Sequence, residues 1–382
     1  MIVRGRDWTS RRLVELEIEG PTIQRVVPLD SDASGAPDED GPILAPAFWD
    51  IQTNGRWGWS FSSPDLTVDQ VIEIVRAQRG LGVARLCPTL ITAPPEATIH
   101  GLETIAQACA QAPDVDRMIV GIHLEGPFLS ELPGYRGTHP AECMRDPDWS
   151  LFERFQAASG GRVVLMTLAP ERAGSAEFIR RAVGAGVAIA LGHTAADEEA
   201  IRWAVEAGAS LSTHLGNGIA ADLPRHPNPI WRQAAEDRLS ASLIADGHHL
   251  DASTLRVLVR AKGWSRVILV SDAGWLAGLP PGNYGAWDVD PAGKIVLAGT
   301  PSLAGSTQGL ATGLRVLDAI EPAFPRPLLD AVTVNPARLL RRPEPSLAAC
   351  EPADLVVLRR SETGGVVLER TCVAGEWFDP VE

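Results

Sequence analysis

The chain has 382 residues, 45% of them apolar and 21% charged, so it can bury a sizeable core and is not a disordered polymer. Its formal net charge of −14 excludes the broad basic surface that nucleic acids and anionic membranes need. It leaves room for a small anionic ligand beside a local cation.

The N-terminus, "MIVRGRDWTSRR", lacks the apolar core of an export signal, and no apolar run reaches bilayer length. The five cysteines (Cys87, Cys109, Cys143, Cys350 and Cys372) are odd in number and form no CxxC pair. They predict free thiols in a reducing compartment, so the cytoplasm is the expected location.

Residues 1–42 carry an alternating "RLVELEIEG" and then a polar "DSDASGAPDEDG". From residue 43 to 344, apolar β-rich runs alternate with stretches of helix length. "ILAPAFWDIQTNG" ends near Asn54, "VARLCPTLI" near Thr92, "RMIVGIHLEGP" at Glu125 and "RVVLMTLAPE" near Pro170. "GVAIALGHT" ends at His193, "ASLSTHLGN" at His214, "LSASLIADGHH" near His249 and "RVILVSDAG" at Asp272. Of the intervening stretches, "ADEEAIRWAVEAGA" opens with an acidic turn and closes on Gly208, as a helix should. Residues 345–382 read "ADLVVLRR", a turn at Gly364-Gly365, and "VVLERTCVAGEWF". This pattern predicts an α/β fold: a (β/α)8 barrel over 43–344, with a small β-domain built from 1–42 and 345–382. An open doubly wound sheet is the alternative, but eight units and this length favour the barrel.

Glu125, His193, His214, His249 and Asp272 all fall at or just after strand ends. In a barrel those ends converge on one mouth, where active sites sit. Glu125, His193 and His214 form an oxygen–nitrogen–nitrogen set suited to Zn²⁺ or Fe²⁺ with a position open to water. Asp272 is placed to move a proton. The other histidines divide. His100 is expected at the surface and His123 behind the site or in the core. His139, in "GYRGTHP", lies in a loop that can reach the mouth. His226 and His248 stay open.

"HLEGPFLS…GYRGTHP", "LGHTAAD", "THLGNGI", "ADGHHLD", "VSDAG" and "LAGST" occur in the order and spacing of the N-acetylglucosamine-6-phosphate deacetylases of the amidohydrolase superfamily, and the chain resembles that family over nearly its whole length. The resemblance implies that Glu125, His193 and His214 hold the catalytic metal. It makes Asp272 the general base and then acid, and His139 the group that binds and polarises the acetamide. His249, Asn217, the backbone N–H of Gly218 and Arg225 would contact the sugar phosphate. Many amidohydrolases carry His-x-His on the first strand; here "DIQTNG" puts Gln52 and Asn54 in those places. Family members with this variant use one metal, so one divalent ion is expected, zinc before iron, with Gln52 near the substrate. The implied reaction is hydrolysis of an acetamide to acetate and a free amino sugar. A homodimer is also implied.

Three stretches depart from the family pattern. "THLGNGI" replaces "THLFNAM", so Gly216 and Gly218 remove side chains beside the expected phosphate site. "PRHPNPIW" surrounds Arg225 with His226, Asn228 and Trp231. "GRWGWSFSS" sets Trp57 and Trp59 after the first strand, to stack on a sugar or to pack under a loop or in a subunit interface. These departures leave two alternatives: an unphosphorylated N-acetyl sugar or another N-acyl substrate, and a sugar-binding chain without turnover.

Overall fold

The computed structural model describes residues 1–29, 41–361 and 365–381. The polar stretch from Asp30 to Asp40 and the Gly364 half of the expected turn lie outside them.

The eight apolar runs become eight parallel strands joined side by side in chain order. They are Phe48–Thr53, Val83–Ile91, Ile122–Glu125, Val163–Leu168, Ala188–Leu191, Leu211–Ser212, Ser240–Leu243 and Val267–Leu269. Residues just past the eighth strand close the ring onto the first. Thr53 bridges Ala273 in parallel, and the Asp272 N–H donates to the Gln52 carbonyl at 2.9 Å. The chain is therefore a (β/α)8 barrel rather than an open sheet.

The interior is filled by one inward row, including Ile51, Cys87, Leu165, Leu211 and Ile268. A larger apolar layer lies between strands and helices. Helix Val68–Ala77 is set by a capping box between Thr67 and Gln70. Helix Glu198–Ala207 starts on Asp197, whose carboxylate accepts from the Ala200 N–H, and stops at Gly208 with φ +113°. Among the described residues, no helix is long and apolar enough to cross a membrane. The five cysteines are free; only Cys350 is exposed.

Both chain ends enter one seven-stranded sheet. Ile43–Pro46 is its centre, pairing in parallel with Ile2–Asp7 and antiparallel with Leu355–Arg360. Leu13–Glu19 and Thr22–Pro28 extend one side, Val366–Val373 and Glu376–Phe378 the other. The first apolar run of the sequence is thus divided: Ile43–Pro46 serves this sheet and Phe48–Thr53 the barrel. A third sheet is absent from the sequence reading. Gly282–Asn283, Trp287–Val289, Lys294–Leu297 and Leu303–Ser306 fold over Leu276, Val289 and Ile295 in the connection after the eighth strand.

Candidate active site

The mouth of the barrel gathers Glu125, His139, His193, His214, His249, Asp272 and Gln52. Glu125 ends the third strand, where the chain must turn away at once. Gly126 does this at φ +94°, and a Cβ there would collide with Thr92 Oγ1, so glycine is required. His193, His214 and Asp272 all take left-handed φ values, +49°, +31° and +45°. Such backbone persists in non-glycine residues only where the surroundings enforce it. Each kink falls where the side chain meets Glu125 or Gln52.

Glu125 Oε1 lies 2.9 Å from His214 Nε2 and 3.4 Å from His193 Nε2, and the two Nε2 atoms are 3.1 Å apart. Two ligands of a tetrahedral ion with bonds of about 2.0–2.1 Å lie roughly 3.3 Å apart, so the triangle matches what one ion needs. Proton placement agrees. His193 Nδ1 faces the Tyr135 carbonyl at 3.0 Å and must donate to it. Its Nε2 lone pair then points at another acceptor, an arrangement that calls for a cation between them. Burial disfavours charge on His214, yet the Glu125 hydrogen bond together with the Glu125 and Asp272 charges outweighs burial and raises its pKa. Burial pushes Glu125 up, but His193 and His214 hold it well below the usual carboxylate range. The cluster favours one added positive charge, which a proton or a metal ion can supply. Among the described residues it is the one group of three or more such side chains close enough to hold an ion.

Gln52 stands between the two carboxylates. Its Nε2 donates to Glu125 Oε1 at 3.1 Å and to Asp272 Oδ1 at 3.2 Å. Asn54 Nδ2 adds a 2.7 Å bond to the same Asp272 oxygen. Burial, then the nearby Glu125 charge, raises the Asp272 pKa. His139 Nδ1 faces the Thr92 hydroxyl at 3.0 Å and the Thr92 N–H at 3.4 Å, so Nδ1 accepts and Nε2 carries the hydrogen. That Nε2 lies 4.0 Å from Glu125 Oε2. Burial and the neighbouring His193 lower its pKa to about 3, so His139 is a neutral donor.

His249 Nδ1 meets Asp246 Oδ2 at 2.7 Å, and the Ser306 hydroxyl donates to that oxygen at 3.0 Å. Asp246 Oδ1 accepts the His248 and His249 N–H groups, at 2.8 and 2.9 Å. Burial would raise Asp246, but His249 holds it low. Asn217 follows His214 in a tight turn. Its Nδ2 and the Oε1 of Gln233 are buried without a partner among the described residues, and both side chains line a small cavity beside His193. Gly218 has φ +60°, and a Cβ there would sit 2.8 Å from His193 Nδ1. Of the two glycines of "THLGNGI", Gly218 therefore brings backbone close against the His193 ring, while Gly216 lies against Leu250 and Leu258.

Arg225 is exposed in the loop before helix Pro229–Ala235, and no hydrogen bond or ion pair holds it among the described residues. His226 is exposed as well, while His100 is half-buried and bonded to the Leu66 carbonyl. His123 is buried, between Thr89 and Thr167. Trp59 is half-buried against the core, and Trp57 stands edge-on to it at 6.2 Å. Their hairpin packs under the loop after the eighth strand, through Trp57 N–H to Ala277 O at 2.9 Å. Sequence reasoning missed Asn54 as a partner of Asp272, and Thr92, Tyr135, Asp246 and Ser306 as supports. The "QTN" spacing was the one available signal; a carbonyl or a hydroxyl carries none.

No family model matches the chain. It is 34% identical over 362 residues to an N-acetylglucosamine-6-phosphate deacetylase from Bos taurus, covering 90% of this chain and 85% of that one. It is 30% identical over 329 residues to an N-acetylgalactosamine-6-phosphate deacetylase from Escherichia coli O157:H7, covering 85% of each. Among solved structures, a mutant N-acetyl-D-glucosamine-6-phosphate deacetylase from Mycobacterium smegmatis, in complex with N-acetyl-D-glucosamine-6-phosphate, superposes with a TM-score of 0.84. Its identity is 32%, over 96% of this chain and 94% of that one.

Proposed function

The chain belongs to the N-acetylglucosamine-6-phosphate deacetylase family, and we propose that it deacetylates an N-acetylated amino-sugar phosphate, N-acetylglucosamine 6-phosphate first. The products are acetate and glucosamine 6-phosphate. The observation that carries this reading is the buried Asp272 carboxylate, tied through Gln52 to the Glu125–His193–His214 cluster.

Glu125, His193 and His214 would hold a divalent ion, which would supply Lewis acidity and make water at the site more acidic, from a pKa of roughly 15.7 toward 7. Asp272 takes the proton of the attacking water and hands it to the departing amine. Its raised pKa suits a group that must hold that proton between the two steps. His139 donates its Nε2 hydrogen to the acetamide oxygen as negative charge develops there. Because it is neutral, it stays a donor across the whole working pH range.

Asn217, the Gly218 N–H, Arg225 and His249 bind the sugar phosphate. Asn217 offers an unpartnered Nδ2, and Arg225 has a guanidinium free for a phosphate. Asp246 fixes His249 Nδ1 as the donor and leaves Nε2 for a sugar hydroxyl. Zinc is the first candidate ion and iron the second, on the Glu–His–His donor set. One ion suffices, because Gln52 and Asn54 are committed to Glu125 and Asp272. A homodimer and a cytoplasmic location complete the proposal; the five free thiols support the location. The galacto epimer is a second reading, favoured by the Escherichia coli relative.

Asp272→Asn tests the role at the centre. The variant keeps its metal content and loses turnover by about 10³-fold or more. Wild-type kcat in that variant would remove Asp272 from the chemistry.

A further inference from the structure

Seven of the eight joins around the barrel are ladders between neighbouring strands, and the eighth is different. Between the first strand and the residues after the eighth there is a single backbone bridge, Thr53 to Ala273. One rung below it, a side chain takes the part of a carbonyl. Asp50 Oδ1 accepts the Ser271 N–H at 3.2 Å across the join and the Gln52 N–H at 3.3 Å along its own strand. Asp50 is fully buried in an otherwise apolar run, "AFWDI", where a carboxylate needs a reason.

The two amides it holds flank the site. Gln52 touches both Glu125 and Asp272, and Ser271 immediately precedes Asp272. Asp272 has left-handed backbone that its surroundings must enforce. The join is also held by the Asp272 N–H to the Gln52 carbonyl at 2.9 Å, the Asn54 N–H to the Ala273 carbonyl at 2.8 Å, the Ser271 hydroxyl to the Gln52 carbonyl at 3.3 Å, and the Gln52 and Asn54 amides to Asp272. Asp50 thus controls the spacing of the Gln52 and Asp272 backbones without reaching the mouth itself. On the far side of Asp50 is a cavity of about one water, lined also by Gln78, Thr307, Gln308 and Arg56. The Arg56 guanidinium is buried, makes no hydrogen bond or ion pair among the described residues, and rests over the Trp57 ring at 5.1 Å.

We propose that Asp50 is a positioning residue for the hydrolysis, acting through the Gln52 and Ser271 amides to set the approach of Asp272 to the metal cluster. This rests on the role given to Asp272 above. What matters is a lone pair at the right place, not the negative charge. Asp50→Asn keeps the acceptor and removes the charge; Asp50→Glu keeps the charge and moves the acceptor.

The test compares Asp50→Asn, Asp50→Glu and Asp50→Ala for kcat, KM, bound metal and thermal melting, with Asp272→Asn alongside. The expected result is kcat within about threefold of wild type for the Asn variant. Losses of about 30-fold or more are expected for Glu and Ala, with KM and metal content retained. If the Ala variant does not fold, the Asn and Glu pair decides. An impaired Asn variant beside an active Glu variant would overturn the proposal. So would wild-type kcat in all folded variants, or losses that track lost metal. Full activity of Asp272→Asn would instead sink the reading on which this one rests, and the two failures are distinguishable.

Discussion

Arg225 and Asp272 stand at opposite extremes of what one residue reveals. Asp272 is buried, strained and bonded to two amides, so its environment declares a task. Arg225 is an exposed side chain in a loop, and its part rests on a ligand phosphate. Arg225→Ala should lower kcat/KM for the phosphorylated sugar by about tenfold or more and leave that for the unphosphorylated sugar unchanged. Equal losses on both substrates would show that the residue shapes the loop instead. At this scale the sequence showed the reacting groups well, since carboxylates and imidazoles at strand ends are conspicuous. It did not show the groups that orient them. His139 owes its tautomer to Thr92 and His193 owes its own to a main-chain carbonyl, and neither partner has a distinctive residue type.

Between the strands, a polar belt runs beneath the site. The Thr53 N–H donates to Thr89 Oγ1, which faces His123 Nδ1 at 3.3 Å. On its other side, His123 Nε2 meets Thr167 Oγ1 at 2.8 Å, and that hydroxyl meets Thr213 Oγ1 at 2.7 Å. Five strands are laced in this way under Glu125, His193 and His214. Burial lowers the His123 pKa to about 4, below the ordinary 6.5. Between those values the unfolded chain binds a proton that the folded chain refuses, so stability falls as pH drops from 6.5 toward 4. In urea unfolding, His123→Gln should lose less stability than wild type between pH 7 and 5, by about 2 kcal/mol. Identical losses would mean that His123 titrates normally in the fold. The barrel strands were readable because buried parallel strands are continuous apolar runs. The sheet spanning 282–306 escaped because its strands are two to four residues long and mostly half-buried, leaving no apolar period to see. The division of the first run between two sheets escaped for another reason: Ile43–Pro46 and Phe48–Thr53 are apolar alike, and only the partners differ.

For the molecule as a whole, the barrel closes its ring at the site itself, so ion binding and fold stability are linked. A chelated sample should melt at lower temperature than one replete with zinc or iron, and re-addition should restore the loss. Ion at about 100 times its Kd contributes roughly 2.7 kcal/mol. Magnesium should do little, because two of the three donors are imidazoles. Glu125→Gln should blunt the response; a melting curve indifferent to every ion would speak against the cluster as a metal site. The most direct test of the central claim is acetate release by metal-replete protein, comparing N-acetylglucosamine 6-phosphate with N-acetylglucosamine. A kcat/KM preference of about 10²-fold for the phosphate, roughly 2.7 kcal/mol, is the predicted result. Release without that preference would contradict the phosphate site, and no release from either sugar would contradict the deacetylase itself.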